Sequence, residues 1–502
     1  MGARDIFAKY ASKETMDRIV EYDTVAKMWE DKSKEFASDI AIDYDGKQYT
    51  YADLSSDVDR FRTVIKNAGL KYGDRVGLLS QNSYDFVVGY LAAVTSGLTV
   101  AVLPAHLDEM TVFGCTMKFA LKGIIYNDAL VEKTVVAKAK GVTLISLSEK
   151  SDTVTPSANV KGSDGCVIMF TGGTTGKSKG ALLSNTAVMQ GTVNGCYGIN
   201  AVFNERYMLI LPLSHVFGLI RNLMTCLYTG SALFICKNNK DMFRDIAIFR
   251  PTILVAVPAL AEMALNLSKK FGRNMLGTDI KYVICGAATV SPYLINEYDK
   301  MGVVLCPGYG LTETANLVSG NPENVKKPSS VGIFYPNQEY KIVDGELWIK
   351  GKNLMDCYVG DPEENEKAFE DGYFKTGDLV RVDEDGFLYI VGRSKEIIVL
   401  PTGENISPAE LEAKFDEIEL VQDSQVFEDV ADSGERILAL EVVPRMTEMA
   451  KYGDKAGEKL MEEIRKVNSS FPPFERVVKI TVRDSDFART PSMKIVRYKK
   501  CN

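Results

Sequence analysis

The sequence contains very little histidine, with only His106 and His215 among its 502 residues. Imidazole is the usual general base near neutral pH and a very common metal ligand. The shortage therefore excludes most histidine-based catalytic triads and histidine-rich metal sites. Cysteine occurs nine times but never as a C-x-x-C pair. An odd, unclustered set of thiols predicts reduced cysteines in a cytoplasmic protein rather than a disulfide framework.

Long hydrophobic runs are also scarce. The N-terminus carries early charges at Arg4 and Asp5 and has no apolar segment, so we expect no secretory signal. The stretch from Phe86 to Leu103 lacks charge, but Gly97 divides it. We expect a buried helix, a glycine stop and a core strand there, and no transmembrane segment.

The rest of the composition is ordinary for a folded protein, with 46% hydrophobic and 25% charged residues. This balance excludes a disordered, collagen-like or low-complexity chain. The formal net charge of −8 lacks the basic excess that a general nucleic-acid-binding surface needs, so we expect no nucleic acid partner. The length predicts about two to four structural units.

Helix and strand patterns alternate through most of the chain. Thr50 and Asp53 form a potential capping box ahead of a helical repeat of apolar residues that Gly69 ends. Short apolar strands such as RVGLLS and CVIMF recur between helical segments, which predicts an α/β fold with parallel sheets. EYKIVDGELWIKG predicts a hairpin that turns at Asp344-Gly345. The last hundred or so residues predict a small α+β domain.

The sharpest local signal is the glycine-rich segment TGGTTGKSKG, Thr171 to Gly180, directly after the strand CVIMF. Glycines let backbone amides turn toward a phosphate, and hydroxyls and lysines add donors and positive charge. A Walker A loop is the main competitor, but its first glycine would have to stand at Thr171. The following GALLS also predicts a strand rather than the helix that Walker A requires.

This segment resembles the T-S-G-T-T-G-x-P-K-G signature of the adenylate-forming superfamily, which includes the acyl-CoA synthetases. Gly172 stands where serine is usual and Ser178 where proline is usual. Further segments resemble other motifs of the superfamily, in the same order along the chain. They are LPLSHVFGL (211–219), CGAATVSP (285–292), PGYGLTET (307–314), YFKTGDL (373–379), GRSKEIIVLPTGENISPAELE (392–412) and RTPSMKIVR (489–497), with Pro307 and Met493 as departures.

The resemblance implies a large N-terminal adenylation domain over residues 1–394 and a small, mobile C-terminal lid domain over 395–502. It implies parallel-rich sheets with covering helices and a small β-barrel-like part in the first domain.

The resemblance also implies roles for individual residues. Lys494 would bridge the acyl carboxylate and the α-phosphate, Thr312 would contact the α-phosphate, Glu313 and Thr174 would hold Mg²⁺, and His215 would lie beside the substrate carboxylate. Lys395 would be the hinge, and Gly403 would lie on the thiol side. The remaining expected ATP-binding residues are Thr171, Gly172, Gly173, Thr174, Thr175, Gly176, Lys179, Gly286, Ala287, Gly308, Tyr309, Gly310, Asp378 and Arg393.

The chemistry fits a chain with few imidazoles. A carboxylic acid is already ionised at neutral pH, so its attack on the α-phosphorus of ATP needs charge neutralisation and alignment rather than a general base. We expect an AMP-forming acyl-CoA synthetase that uses ATP, Mg²⁺, CoA and a small-molecule carboxylic acid. The spacing between Glu396 and Gly403 is more typical of fatty-acyl ligases, which suggests fatty acid metabolism.

Two alternatives remain open at this point. A stand-alone adenylation enzyme would load an acyl or amino acid onto the phosphopantetheine of a carrier protein, and the motifs do not separate this acceptor from CoA. A non-catalytic nucleotide sensor would account for the departures at Gly172, Ser178 and Met493, although Lys494 and Glu313 are retained.

Overall fold

The computed structural model describes residues 3–171, 179–199, 202–399, 404–431, 436–490 and 495–497. Among these residues, no helix combines the length and apolarity that crossing a bilayer requires.

The strands, numbered in chain order, are β1 (Ile40–Tyr44), β2 (Lys47–Thr50), β3 (Arg75–Leu79), β4 (Thr99–Leu103), β5 (Gly123–Tyr126), β6 (Thr143–Ser146), β7 (Gly165–Phe170), β8 (Gly180–Ser184), β9 (Arg206–Leu209), β10 (Ala232–Ile235), β11 (Ile253–Ala256), β12 (Tyr282–Cys285), β13 (Val304–Leu311), β14 (Asn316–Gly320), β15 (Ile333–Phe334), β16 (Gln338–Val343), β17 (Glu346–Gly351), β18 (Cys357–Tyr358), β19 (Phe369–Glu370), β20 (Tyr373–Val382), β21 (Leu388–Arg393), β22 (Ile398–Val399), β23 (Asn405–Ile406), β24 (Val421–Val430), β25 (Arg436–Pro444) and β26 (Lys479–Val482).

The α-helices are α1 (Ala3–Phe7), α2 (Lys13–Arg18), α3 (Val25–Glu35), α4 (Tyr51–Asn67), α5 (Tyr84–Thr95), α6 (Glu109–Lys118), α7 (Val135–Ala139), α8 (Asn185–Asn194), α9 (Thr225–Tyr228), α10 (Met242–Phe249), α11 (Pro258–Phe271), α12 (Pro292–Lys300), α13 (Pro362–Ala368), α14 (Pro408–Phe415), α15 (Met446–Met449) and α16 (Ala456–Ser470). A π-helix spans Phe217–Met224 and leads directly into α9.

Two large sheets form the frame of the first four hundred residues. The first has the order β15-β14-β13-β12-β11-β9-β10-β1-β2, and its strands from β13 through β1 are parallel. The second has the order β18-β8-β7-β4-β3-β5-β6, and its strands from β7 through β6 are parallel. The predicted α/β fold with parallel-rich sheets is confirmed.

The side chains of each parallel strand alternate between two cores. Val100 and Val102 of β4 face a large cluster between the two sheets, whereas Ala101 and Leu103 face a second cluster beneath α6. A third cluster lies between the first sheet and helices α10, α11 and α12. The layers therefore run helix, sheet, helix, sheet, helix, and strands buried on both faces explain the continuous apolar runs.

Local sequence signals agree with this frame. Thr50 and Asp53 form the expected capping box at the start of α4. The charge-free stretch forms α5 and β4, and Gly97 between them has a φ of 77°. That positive φ explains why a glycine divides the two buried elements.

A separate antiparallel sheet of five strands corresponds to the small β-rich part expected from the sequence. β16, β17, β20 and β19 lie in that order, and β21 pairs with β20. Asp344 and Gly345 connect β16 to β17 with φ values of 50° and 82°. Two consecutive positive φ values are typical of the tight hairpin turn that Asp-Gly favours.

The C-terminal part of the chain is a small α+β domain, as expected. β24, β25 and β26 form one sheet, which α14 and α16 cover. Its core is a distinct cluster that includes Phe415, Leu440 and Ile464.

The close approach of α8 to the turn after β13 generates a stability prediction. A Cβ built on Gly191 would lie 1.9 Å from the carbonyl oxygen of Ala315. We expect Gly191→Ala to lower the free energy of unfolding by about 1 to 3 kcal/mol, because backbone must move to admit the methyl group. Chemical denaturation would measure this.

Gly114→Ala is the matched control. Gly114 lies within α6, and a Cβ built there would meet nothing within 4 Å. We expect this variant to be more stable than the wild type by about 0.5 to 1 kcal/mol. Equal stabilisation by both substitutions would contradict the close contact between α8 and Ala315.

Candidate active site

Several of the expected site residues lie where parallel strands of the first sheet end. The His215 segment follows β9, Gly286 and Ala287 follow β12, and Gly308 lies in β13 beside the end of β12. A crevice at the carboxyl ends of parallel strands is the usual place for a ligand in an α/β protein. A Cβ built on Gly286 would lie 3.3 Å from the carbonyl oxygen of Gly308, so these glycines let the two segments approach closely.

Tyr309, Asp378 and Arg393 form one bonded group. The Tyr309 hydroxyl donates a hydrogen bond of 2.6 Å to Oδ2 of Asp378. Nε of Arg393 lies 2.9 Å from Oδ1 of the same carboxylate. Three residues that the sequence places in three separate motifs are therefore brought together, as the resemblance implies.

The antiparallel pairing of β20 with β21 positions the two charged members of this group. Asp378 lies directly opposite Arg393 in the register. The ladder is irregular next to Asp378, between Leu379 and Val380, and Gly377 has a φ of 72°. Such an irregularity redirects a side chain, which explains the glycine that precedes the aspartate in the motif.

Burial strengthens the electrostatic interactions among these three side chains. The Asp378 residue is 2% exposed, and the charged side chain of Arg393 is 40% exposed. Burial, reinforced by the neighbouring Asp378 carboxylate, raises the pKa of Tyr309 well above its usual value. Burial alone would lower the pKa of Arg393, but the charge of Asp378 acts in the opposite direction, and the pKa of Arg393 is raised. Asp378 therefore lies between the Tyr309 phenol, which burial keeps neutral, and the Arg393 guanidinium.

The expected Glu313 and Thr312 lie in a 3₁₀ turn, Thr312–Thr314, directly after β13. The turn is held from outside the motif: the backbone N–H of Met355 donates to the carbonyl oxygen of Glu313 at 2.7 Å. The Asn353 side-chain amide donates to the carbonyl oxygen of Thr314 at 2.9 Å. These bonds fix the backbone that carries the Glu313 carboxylate.

Tyr358 and Glu364 are site residues that the sequence analysis missed. The Tyr358 hydroxyl donates to Oε1 of Glu313 at 2.8 Å, and Nζ of Lys179 lies 4.4 Å from the centre of the Tyr358 ring. Nζ of Lys179 also lies 2.5 Å from Oε2 of Glu364. Tyr358 thus contacts both Lys179 and Glu313 and places these two charged residues near each other. No spacing in the sequence indicates this, because the pairing of β18 with β8 creates the contact.

The glycine-rich segment connects two antiparallel strands. The Thr171 N–H donates to the carbonyl oxygen of Lys179 at 2.9 Å and closes the base of the loop between β7 and β8. Because β8 is a strand, the Walker A interpretation is excluded, as predicted. The expected Gly172, Gly173, Thr174, Thr175 and Gly176, together with Ser178, lie outside the described residues.

His215 lies half-buried at the start of the helix that follows β9. The backbone N–H of His215 donates to the carbonyl oxygen of Pro212 at 3.1 Å. A Cβ built on Gly218 would lie 2.3 Å from that same oxygen. The Asn82 side chain bonds the backbone of this segment at both Leu211 and Leu213. The spacing of proline, histidine and glycine in this motif therefore reflects a tight turn that fixes the position of His215.

The C-terminal motif lies beside the segment that joins the two parts of the chain. Lys395, the expected hinge, is exposed in a 3₁₀ turn, Ser394–Glu396. The Arg497 guanidinium lies 3.1 Å from Oε2 of Glu396 and donates a hydrogen bond of 2.8 Å to Glu412. Lys494, Met493 and Gly403 lie outside the described residues.

A cluster of charged residues connects the C-terminal domain to α11 and α12. The Arg445 residue is fully buried, and its Nε donates to Oε1 of Glu262 at 2.8 Å. Nζ of Lys269 and the Tyr293 hydroxyl donate to Oε1 of Glu448 at 2.6 and 2.7 Å. We call these five residues the interdomain clamp.

The described residues contain no group of three or more histidine, cysteine, aspartate or glutamate side chains arranged to hold a metal. Glu313 is the carboxylate carried by the turn after β13. Magnesium is commonly held by one or two carboxylates together with substrate phosphates, so this arrangement suits Mg²⁺ that arrives with a nucleotide.

Comparison with known proteins agrees with this geometry. The sequence profile of the AMP-binding enzyme family matches residues 29–359, and that of the AMP-binding enzyme C-terminal domain matches residues 395–501. The protein 4-coumarate–CoA ligase-like 6 of Arabidopsis thaliana is 31% identical over 477 residues, covering 86% of this chain and 81% of the relative. The oxalate–CoA ligase of the same plant is 29% identical over 431 residues, covering 78% and 83%.

Solved structures show the same fold. The anthranilate CoA ligase AuaEII in complex with anthranoyl-AMP matches with a TM-score of 0.83 at 18% identity, over 95% of this chain and 96% of that chain. ATP-bound MatB from Rhodopseudomonas palustris matches with a TM-score of 0.80 at 23% identity, over 93% and 96%. The chain therefore belongs to the AMP-binding enzyme family, the adenylate-forming superfamily that its motifs resemble.

Proposed function

We propose that this enzyme is an AMP-forming acyl-CoA synthetase. It converts a carboxylic acid and ATP to acyl-AMP and pyrophosphate, and then transfers the acyl group to the thiol of CoA with release of AMP. The observation that carries the proposal is the grouping of Tyr309, Asp378 and Arg393 with the neighbouring Glu313–Tyr358–Lys179 contact. Tyr309 in β13 and Glu313 in the turn that follows would thus place the nucleoside end and the phosphate end of the site four residues apart in the chain.

The nucleoside end of the site would be formed by residues of β12, β13, β20 and β21. Asp378 would accept hydrogen bonds from the ribose hydroxyls, as acidic residues do in dinucleotide-binding folds. Arg393 would donate to ribose and phosphate oxygens. The adenine would lie against Tyr309 and the backbone of Gly286, Ala287, Gly308 and Gly310.

The phosphate end would be formed by the glycine-rich loop, Lys179 and the turn that contains Thr312 and Glu313. The loop amides, with the hydroxyls of Thr174 and Thr175, would hold the departing phosphates. Glu313 and Thr174 would hold Mg²⁺, which neutralises phosphate charge when it is bound. The described bond from Tyr358 would keep the Glu313 carboxylate oriented.

The acid would bind beside His215 with its carboxylate aimed at the α-phosphorus. One carboxylate oxygen forms a bond to phosphorus as the bond to pyrophosphate breaks. The substrate is an anion already, so no protein group needs to remove a proton. Lys494 would bridge the carboxylate and the α-phosphate, and Thr312 would donate to the same phosphate, which reduces the repulsion between the two anions.

The second step requires access for a thiol. We propose a domain boundary between residues 394 and 395, with an N-terminal domain over 1–394 and a C-terminal lid over 395–502. Rotation at Lys395 would withdraw Lys494 and bring Gly403 toward the site. One cavity would then serve both half-reactions through domain movement.

CoA is the acceptor that the comparisons favour. Relatives that cover most of the chain carry names such as oxalate–CoA ligase and indoleacetate–CoA ligase. Their acids differ, so the names indicate the type of thiol rather than the acid. A carrier-protein phosphopantetheine presents the same thiol and is the alternative acceptor.

Separating the two half-reactions tests this proposal. We expect Lys494→Ala to lower the rate of pyrophosphate release by about a hundredfold or more, because a cation at the reacting oxygens is lost. The same variant should form thioester from supplied acyl-adenylate and CoA at close to the wild-type rate. Lys499→Ala, which removes a neighbouring charge of the basic tail, is the control and should change neither rate. Equal loss of both half-reactions in Lys494→Ala would contradict the domain movement.

The nucleoside end generates a binding prediction. We expect Asp378→Asn to weaken the binding of AMP by about ten- to a hundredfold, since hydrogen bonds to a charged acceptor are worth about 1.5 to 3 kcal/mol. Isothermal titration calorimetry would measure this. Asp383→Asn is the control: Asp383 also pairs with a cation, Lys327 at 2.8 Å, but it lies in the connection between β20 and β21. An AMP affinity unaffected by Asp378→Asn would exclude the proposed contact with ribose.

The interdomain clamp generates a prediction about the junction. Glu262→Gln removes the charge that is paired with the buried Arg445, and leaving such a charge unpaired is strongly unfavourable. We expect the C-terminal domain to detach more often and trypsin to cleave the segment around Lys395 several times faster. Asp45→Asn, which breaks an exposed pair with Lys237, should leave cleavage unchanged. Cleavage at the wild-type rate in Glu262→Gln would show that the clamp does not hold the domain.

A further inference from the structure

Arg221 is a buried cation that none of the proposed steps uses. It lies in the π-helix Phe217–Met224, and the residue is 0% exposed. Among the described residues no carboxylate pairs with its guanidinium, and the polar side chain that interacts with it is the phenol of Tyr207, which burial keeps neutral. A guanidinium keeps its charge in proteins, and a buried charge without a partner is costly. In the part of the chain that the structure describes, no negative charge offsets that cost.

The polar groups around Arg221 are neutral. Burial raises the pKa of the Cys196 thiol to about 12 and that of the Cys306 thiol to about 12, with the Arg221 charge acting in the opposite direction on both. Burial likewise raises the pKa of Tyr207 above its usual range. The charge of Arg221 reaches two further groups, Cys226 and Tyr335, which burial also keeps protonated. The other charge that acts on Cys196 is again a cation, that of Lys32.

The position of Arg221 connects it to the candidate site. Phe217 lies four residues earlier in the same helix, about one turn away, and a Cβ built on Gly286 would lie 3.4 Å from its ring. Cys306 lies two residues before Gly308 in β13, so the two residues face the same side of the strand. Arg221 is therefore close to the inner end of the crevice that Gly286 and Gly308 border.

The neighbouring backbone leaves room for this side chain. A Cβ built on Gly195, at the end of α8, would lie 3.1 Å from Cδ and 3.2 Å from Nε of Arg221. Any larger residue at position 195 would press against the arginine. The fold thus accommodates a long cationic side chain at a place where an apolar residue would avoid the cost of desolvation.

We propose that Arg221 binds a second carboxylate of the acid substrate, so that this enzyme activates dicarboxylic acids. This inference rests on the proposed function. One carboxylate attacks the α-phosphorus and displaces pyrophosphate, while the other stays unreacted and pairs with the guanidinium. Arginine suits this role because its planar fork binds a carboxylate through two parallel hydrogen bonds.

The experiment compares matched acids on the wild type and on Arg221→Met. The acids are aliphatic dicarboxylic acids of increasing length and the monomethyl ester of each, which has nearly the same shape without the second charge. Pyrophosphate release is measured for all of them. We expect the wild type to prefer the best diacid over its ester by about a hundredfold or more in kcat/KM, and Arg221→Met to lose most of this preference. Comparable use of diacid and ester by the wild type would overturn the proposal.

Thermal unfolding without nucleotide gives a second readout that does not require turnover. We expect Arg221→Met to raise the Tm of the free protein, since it removes an unpaired buried charge, and the diacid to raise the Tm of the wild type only. Arg62→Met is the control, because Arg62 is also buried but bonds to Asp59, Thr95 and Thr155. This control should lower the Tm and keep the preference for the diacid.

The outcomes separate this inference from the proposed function. If no acid supports pyrophosphate release but the diacid still raises the Tm of the wild type alone, the adenylation proposal fails and the anion site stands. If monocarboxylic acids are activated and Arg221→Met changes neither preference nor Tm shift, the adenylation proposal stands and the anion site fails. A fall in the Tm of free Arg221→Met as large as that of Arg62→Met would also overturn the anion site.

Discussion

The ion pair between Asp378 and Arg393 is the interaction on which the arrangement of the site depends. It joins β20 to β21, and the hydrogen bond from Tyr309 joins the same carboxylate to β13 of the first large sheet. One buried carboxylate thus connects the parallel sheet, the small antiparallel sheet and the start of the segment that leads to the C-terminal domain. Because Asp378 is almost fully buried, losing either partner would leave its carboxyl group less well compensated for the loss of solvent. A change at any one of the three residues affects the geometry of all three parts.

The other charged residues of the candidate site are also held by contacts with single neighbours. In this acidic chain with two histidines, the cations and carboxylates of the candidate site occur singly, and each contacts a neighbouring side chain. Tyr358 holds Glu313, Glu364 holds Lys179, and Glu396 holds Arg497. A reaction between two anions requires well-oriented positive charge more than it requires proton transfer. A low histidine content is therefore compatible with such a reaction. Arg221 is the exception, since its guanidinium lies buried without a paired carboxylate among the described residues.

Much of the fold could be predicted from local patterns, because the responsible forces act over short stretches of chain. Apolar runs became parallel strands, the Thr50–Asp53 pair became a capping box, and Asp344-Gly345 became the hairpin turn. The grouping of Tyr309, Asp378 and Arg393 could be expected only from the order of motifs in the superfamily. The contact of Tyr358 with Glu313, the interdomain clamp and the burial of Arg221 could not be predicted. Each depends on the packing of segments far apart in sequence, and none has a spacing signature of its own.

In the proposed reaction, a carboxylate of the acid attacks the α-phosphorus of ATP. The most direct test supplies the acid with a heavy oxygen isotope in its carboxylate, together with ATP and CoA, and measures by mass spectrometry where the label appears after one turnover. We expect one labelled oxygen in AMP and none in pyrophosphate, since the carboxylate oxygen that bonds to phosphorus leaves with AMP when the thiol attacks. Label in pyrophosphate or orthophosphate, or thioester formed without labelled AMP, would contradict it.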